Sequence, residues 1–247
     1  MLSAAALVPS SPLLLRTVNK NHRTEIESTE EALEHLSDEW YARKIETVVI
    51  ITQSRFGYDD AISLDVADPY IMDLEALGDL SPKATYHPDF SLIDNIQRLA
   101  RSHDAPITLT TEPSLPYGCA APLEALARRI PHIRIMPVAT AGACDAKEHY
   151  QLGMILKQSI ISSPKRIGII AAGDVSLAHL ADIRLILEEK STASLLKLEP
   201  ELESHQNDAA YRPLATLFGV LDNIPSRAEI LSIESPFNVG YVVATFT

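Results

Sequence analysis

The segment Arg166 to Leu180, RIGIIAAGDVSLAHL, narrows the fold of this chain more than any other. Ile167, Ile169 and Ile170 with Ala171 and Ala172 make an uncharged, β-branched run of strand length. A strand without a polar face has to be covered on both sides, which is the situation of a parallel strand flanked by helices. Open α/β sheets bind ligands beyond the carboxyl ends of such strands, so the loop Gly173 to Leu177 is where chemistry is expected.

The rest of the chain repeats the pattern. Leu2 to Val8 reads as the first strand, and Thr47 to Thr52, TVVIIT, is the strongest strand signal. Ser28-Thr29-Glu30-Glu31 has capping-box spacing ahead of Leu33, Leu36 and Trp40, which predicts a helix from Ser28 to Arg43. Further strands are predicted at Asp60–Val66, Ile107–Thr110 and Ile133–Val138. Helices are predicted at Ser91–Ser102, from Gly118 past Leu126, and at Asp145–Ile160, Leu180–Glu189 and Asp208–Leu221. Asp68 to Asp89, with Pro69, Pro82 and Pro88, reads as an irregular excursion, and Ala228–Glu234 with Val239–Phe246 as a closing hairpin. The alternation predicts an α/β fold, a single three-layer α/β/α domain over 1–247 with a mostly parallel, mixed central sheet.

Charge removes two classes of partner. With 21 basic against 33 acidic residues and a net charge of -12, neither nucleic acid nor an anionic membrane surface is expected. The apolar start, MLSAAALVPSSPLLL, lacks a basic n-region and is interrupted by Pro9 and Pro12, so a strand is expected there and not a signal peptide. Two cysteines, Cys119 and Cys144, without CxxC spacing fit a reducing, cytoplasmic setting.

Five loop segments carry a resemblance, in chain order. Leu7-Val8-Pro9-Ser10-Ser11-Pro12-Leu13-Leu14 is similar to LVPHPPLL, and Ile51-Thr52-Gln53-Ser54 with Asp60-Ala61-Ile62 to ISPHG with DAI. Leu115-Pro116-Tyr117-Gly118 with Pro122-Leu123 is similar to LDHG with PL, and Gly173-Asp174-Val175-Ser176-Leu177 to GDLSH. Glu234-Ser235-Pro236-Phe237-Asn238-Val239-Gly240-Tyr241 is similar to a terminal EGPFGVGY. Together they resemble the LigB-like family of class III extradiol ring-cleavage dioxygenases, to which the Memo-like proteins also belong. In that family a ferrous ion is held by the histidines of the first two motifs and the terminal glutamate, and further histidines come from the third and fourth motifs. The matching positions here are Ser10, Ser54 and Glu234 for the metal, and Tyr117 and Leu177 for the others. Every one of the histidines is absent. A neutral hydroxyl is a poor ligand for Fe(II), and a leucine transfers no proton. The resemblance thus implies a cleft lined by Ser10, Ser54, Tyr117, Gly118, Asp174, Leu177, His179 and Glu234, with no cofactor expected and Fe(II) entering only through displaced ligands.

Each of these residues also has a plainer reading. His179, two residues past the missing imidazole, is the nearest displaced ligand, or else an exposed or helix-facing histidine. His87, His103, His132, His149 and His205 show no metal-ligand spacing and read as solvated surface residues. Tyr117 reads as a pocket filler or as a hydrogen-bond donor to a ligand, and Glu234 as an isolated acid or as the partner of Arg55 or another base. Asp174 reads as the cap of the helix after Gly173, and Cys119 as a small packed residue. The leading expectation is a metal-free binding or structural subunit. The alternatives are an enzyme running another reaction with Glu234 and Tyr117 as acid and base, and a ring-cleaving dioxygenase with displaced iron ligands. Expected partners are a small aromatic or acidic ligand, and a second copy or related subunit docked on an exposed final strand, Val239–Phe246.

Overall fold

The computed structural model describes all residues except 16, 20, 21, 54–57, 73, 79–83 and 199–207. Its strands are β1 Leu2–Val8, β2 Thr47–Thr52, β3 Ile62–Asp65, β4 Tyr70–Met72, β5 Ala84–Pro88, β6 Ile107–Thr110, β7 Arg134–Ala139, β8 Ile167–Ala172, β9 Val175–Ser176, β10 Ala228–Glu234 and β11 Val239–Phe246. Seven α-helices lie among the described residues: α1 Glu27–Ala42, α2 Phe90–Ser102, α3 Tyr117–Ala127, α4 Ala146–Ser162, α5 Leu180–Glu189, α6 Thr192–Lys197 and α7 Tyr211–Val220. None of the described helices is long and apolar enough to cross a membrane.

The main sheet runs β10-β11-β1-β8-β2-β7-β3-β6. Its centre, β1-β8-β2-β7, is parallel throughout, and β11 joins β1 in the antiparallel sense, so the sheet is mixed as expected. All six residues of β2 and of β8 are buried, which is why neither carries a charge. Alternate residues of these strands feed two cores. Leu7, Val49, Ile51 and Ile169 pack with Leu156, Ile186 and Leu217 of α4, α5 and α7. Val8, Val48, Ile50 and Ile170 pack on the other face with Leu36 and Trp40 of α1 and Leu123 of α3. Each such side chain contributes about 1.5–3 kcal/mol when fully buried, before the entropy of ordering it is counted. Where α4 crosses α7, a Cβ on Gly153 would lie 2.0 Å from the Thr216 carbonyl oxygen, so the close crossing requires glycine there.

Three expectations are corrected. The final strand β11 is not an exposed edge: it lies between β10 and β1, and Tyr241, Val242, Val243 and Phe246 are all buried within the chain. The Asp68–Asp89 excursion contains the β4–β5 pair. The capping box at Ser28 does not form, since Ile26 occupies the N-cap position of α1 with no side-chain hydrogen bond. The box that does form belongs to α4, where the Asp145 side chain accepts from Glu148 N and Glu148 returns a bond to Asp145 N.

Candidate functional site at the carboxyl edge of the sheet

Strand register brings the family-motif positions into one row. Glu234 of β10 stands opposite Tyr241 of β11. Leu7 stands opposite Ala244, and Val8 opposite Ala172. Extended past the end of β1, these registers set Ser10 between Tyr241 and Asp174. The row Glu234, Tyr241, Ser10, Asp174 therefore crosses four neighbouring strands where β1, β8 and β10 end. Ser54 follows β2 and lies outside the described residues. A Cβ added to Gly118 would meet Thr52 Oγ1 at 3.1 Å, so glycine lets the first turn of α3 close over the end of β2.

The polar groups of this row are turned on one another. Ser10 N–H donates to Asp174 Oδ1 at 2.9 Å, tying the loop after β1 to the loop after β8. Asp174 is thus not the cap of the following helix; the N-cap position of α5 is His179. Burial pushes the Asp174 carboxyl up to about 6, against the lowering effect of the Ser10 bond. Burial also pushes the Tyr241 phenol up to about 12, opposed by the Ser11 hydroxyl and reinforced by the Asp174 charge. Tyr241 and Ser11 thus belong to the site although the sequence reading did not single them out; their signal was membership in the first and last motifs.

Glu234 is not an isolated acid. Its Oε1 accepts from Ser28 N at 3.0 Å, and its Oε2 accepts from Thr29 N at 2.8 Å and Thr29 Oγ1 at 2.6 Å. Ser28 and Thr29 are the second and third residues of α1, whose first-turn N–H groups have no partner inside the helix. A carboxylate there satisfies two of them and sits at the positive end of the helix dipole. Arg55, the other partner considered for Glu234, lies outside the described residues.

The remaining positions divide. Tyr117 is 54% exposed at the start of α3, so it fills no pocket, and Leu177 is 46% exposed. His179 is buried at the N-cap position of α5, so of its plainer readings the exposed one fails. Its Nδ1 lies 2.8 Å from Asp208 Oδ2 and 3.0 Å from Ser176 Oγ, while Asp208 also accepts from Ser176 N at 2.8 Å and Ser176 Oγ at 3.0 Å. Serine and aspartate meet the same ring nitrogen, so this is no nucleophile–base–orienter relay, in which they would occupy opposite nitrogens. Asp208 lies far from His179 in sequence, and no local signal announces it.

Another histidine departs from expectation. His149 is fully buried and spans the loop after β7, with Nδ1 donating to Asp145 O at 2.7 Å and Nε2 accepting from Ala141 N at 3.2 Å. Burial pushes it down to about 4, so the imidazole is neutral in the folded protein near neutral pH. His87, His103 and His132 are exposed, as expected, and His205 lies outside the described residues. Cys119 is packed as expected, and burial pushes its thiol up.

The chain thus forms an α/β fold with a mixed, mostly parallel sheet, and its motif-bearing loops after β1 and β8 are joined at the carboxyl edge. The family model for the catalytic LigB subunit of aromatic ring-opening dioxygenase matches residues 4–182, and the chain belongs to that family. Glu234 and the terminal motif lie beyond the matched span. Protein CA_C1420 of Clostridium acetobutylicum is 22% identical over 96% of this chain, and the chain spans 56% of that protein's length, about half. The crystal structure of the uncharacterized protein JW3007 from Escherichia coli K12 superposes with a TM-score of 0.67 at 13% identity, covering 98% of this chain and 99% of the other, which establishes a shared fold.

The family implies a ferrous ion, and the donors at the described positions do not fit one. Ser10 offers a neutral hydroxyl, Leu177 a hydrocarbon, and both oxygens of Glu234 already accept hydrogen bonds. Fe(II) of this type needs two imidazoles and a carboxylate directed at one point. Among the described residues, no group of three or more His, Cys, Asp or Glu is arranged to hold a metal ion.

Proposed function

We propose that this member of the ring-opening dioxygenase family acts as a binding or structural subunit and does not cleave aromatic rings. Glu234 carries the reading: the one metal-ligand residue of the family pattern that this chain retains is engaged by the first turn of α1. The same edge offers apolar groups suited to contact a partner or a small aromatic ligand. Leu177 lies one residue past the Ser176–Val239 pairing of β9 with β11, close in register to the 58% exposed Phe237. Phe237 adopts φ 52, a left-handed conformation rare for a bulky residue, and its ring meets the His22 ring edge-on at a centroid distance of 5.2 Å while the rest stays open to solvent. A cytoplasmic setting accompanies this reading, supported by two unpaired, buried cysteines.

The test is metal analysis of protein expressed with added iron, together with a catechol turnover assay. Iron far below one equivalent and no turnover are expected. Near-stoichiometric iron with turnover sinks the proposal.

One observation favours a second reading, an enzyme that uses this edge for another reaction. Asp174, pushed up to about 6 near the buried Tyr241, is poised for proton transfer near neutral pH, while Glu234 is bound to the first turn of α1 and Tyr117 is exposed. Under this reading Asp174 replaces them as the acid–base group. Any activity found should then fall at least about a hundredfold in Asp174→Asn, the usual weight of a general acid or base. An unchanged rate removes Asp174 from the chemistry.

A further inference from the structure

We propose that the carboxyl edge binds a small ligand with an ammonium group on an aromatic body, and that Asp174 receives the ammonium. This rests on the reading of the chain as a binding protein and names the ligand class that the reading leaves open. Three other aspartates withdrawn from solvent have both oxygens engaged. Asp65 accepts from Ala67 N, Thr110 Oγ1 and Glu112 N, and Asp89 from Lys165 Nζ, Leu92 N and Thr47 Oγ1. Asp208 holds Ser176 N and Oγ and faces the His179 ring. Asp174 differs. Ser10 N–H donates to its Oδ1, while its Oδ2 has no donor among the described residues and is not sealed from solvent. Burial and the Ser10 bond act on this carboxyl, and no described cation offsets its charge. A carboxylate drawn out of water without a counter-charge is costly, and a ligand cation carrying N–H donors supplies both the charge and the missing bond.

The surroundings decide what else the ligand carries. The β9–β11 ladder pairs Gly240 with Val175 and Val239 with Ser176, and one further step sets Tyr241 opposite Asp174. With the Tyr241 phenol and the Ser11 hydroxyl close by, an ammonium finds acceptors for more than one of its three N–H groups. Just before β11, Phe237 is 58% exposed and its ring meets His22, which lies ahead of α1. Glu234, opposite Tyr241, is bound to the start of the same helix, so Phe237 and Tyr241 flank one side of the edge. An aromatic body therefore has a ring to lie against. An aromatic acid would meet the carboxyls of Asp174 and Glu234 in a row whose described members include no cation. A metal ion needs several converging ligands, and among the described residues no group of three or more His, Cys, Asp or Glu provides them.

The experiment is isothermal titration calorimetry of the full chain at about pH 8, where the Asp174 carboxyl is ionised and the probe amines are protonated. The probes are phenethylamine, butylamine and phenylacetate, with circular dichroism on every variant. Phenethylamine is expected to bind, butylamine more weakly and phenylacetate not at all. Asp174→Asn keeps an acceptor for Ser10 N–H but removes the charge, and should weaken phenethylamine at least about tenfold, the scale of a hydrogen bond to a charged group. Phe237→Ala changes an exposed side chain, so it tests the ring contact even where Asp174→Asn fails to fold, and should weaken the same probe about fivefold. Unchanged affinity in either folded variant overturns the proposal. So does preference for phenylacetate, or absence of binding by both amines. Butylamine bound as tightly as phenethylamine also overturns it, since the site would then suit the lysine side chain of a protein. Each of these failures leaves the metal-free role standing, because iron content and catechol turnover decide that role separately.

Discussion

Glu234→Ala should lower the unfolding free energy by about 2–3 kcal/mol, the combined scale of a lost N-terminal cap and of hydrogen bonds to a charged acceptor. Three donors lose their acceptor at once, Ser28 N, Thr29 N and Thr29 Oγ1. Water reaches the Ser28 end more readily than the buried Thr29, whose hydroxyl and N–H are left without a partner. In a chain of this length each kcal/mol moves the melting temperature by about 2–4 °C, so a fall of about 6 °C is expected. Glu234→Gln keeps an acceptor oxygen but removes the charge at the helix end, and should cost about half as much. Urea denaturation in the presence of a chelator is the decisive format. A carboxylate held in reserve for a metal would leave the stability of the metal-free protein unchanged on substitution, and that result would dismiss the capping role.

This contact also shows where sequence reading stops. Ser28-Thr29-Glu30-Glu31 has the spacing of a capping box, and α1 does begin there, but its cap comes from a residue 205 positions away from Thr29. The local pattern was right about the helix and wrong about what ends its first turn. Strands β2 and β8 were legible because uncharged β-branched runs have few other places to go, and α5, β10 and β11 were read to the residue. The order of strands in the sheet was not legible. The apolar side chains of Val239–Phe246 suggested a face awaiting a partner, whereas they are apolar because β10 and β1 flank them within the chain.

The site was legible to the extent that it is carried by loops in fixed chain order, and the strands that end in the first, second and fourth motifs, β1, β2 and β8, stand together in the sheet. The partners of its polar groups were not. Asp174 binds a backbone amide on another loop, and His179 binds Asp208 from beyond α6, neither of which has a spacing rule. His149 was misjudged for a different reason. Its two bonds, to Ala141 and Asp145, are local, but nothing in composition distinguishes an imidazole that closes a loop from one that faces water.

The acid response of the protein should contain two opposed contributions, separable by single substitutions. In the folded state His149 is pushed from an ordinary 6.5 down to about 4, by burial and by the Arg212 guanidinium, with the Asp145 carbonyl and charge acting the other way. Between those values the unfolded chain takes up a proton that the folded chain refuses, so stability falls as pH falls, by about 1.4 kcal/mol per pH unit and about 3 kcal/mol in all. Protonation also forfeits the bond from Ala141 N, since Nε2 can no longer accept. Asp174 has the reverse sign. Raised from 3.8 to about 6, it takes up its proton in the folded state first, so it gains stability as pH falls through that interval and loses it as pH rises. The parent profile between pH 6 and 4 is accordingly flatter than either contribution alone. His149→Gln retains one donor and one acceptor for the loop but does not titrate, and its stability relative to the parent should improve by about 3 kcal/mol on going from pH 7 to 4. Asp174→Asn should move oppositely, losing ground to the parent over the same range. Guanidinium unfolding of the parent and both variants at matched ionic strength measures the differences directly, and a His149→Gln curve parallel to the parent's would show that the folded imidazole titrates as it does in the unfolded chain.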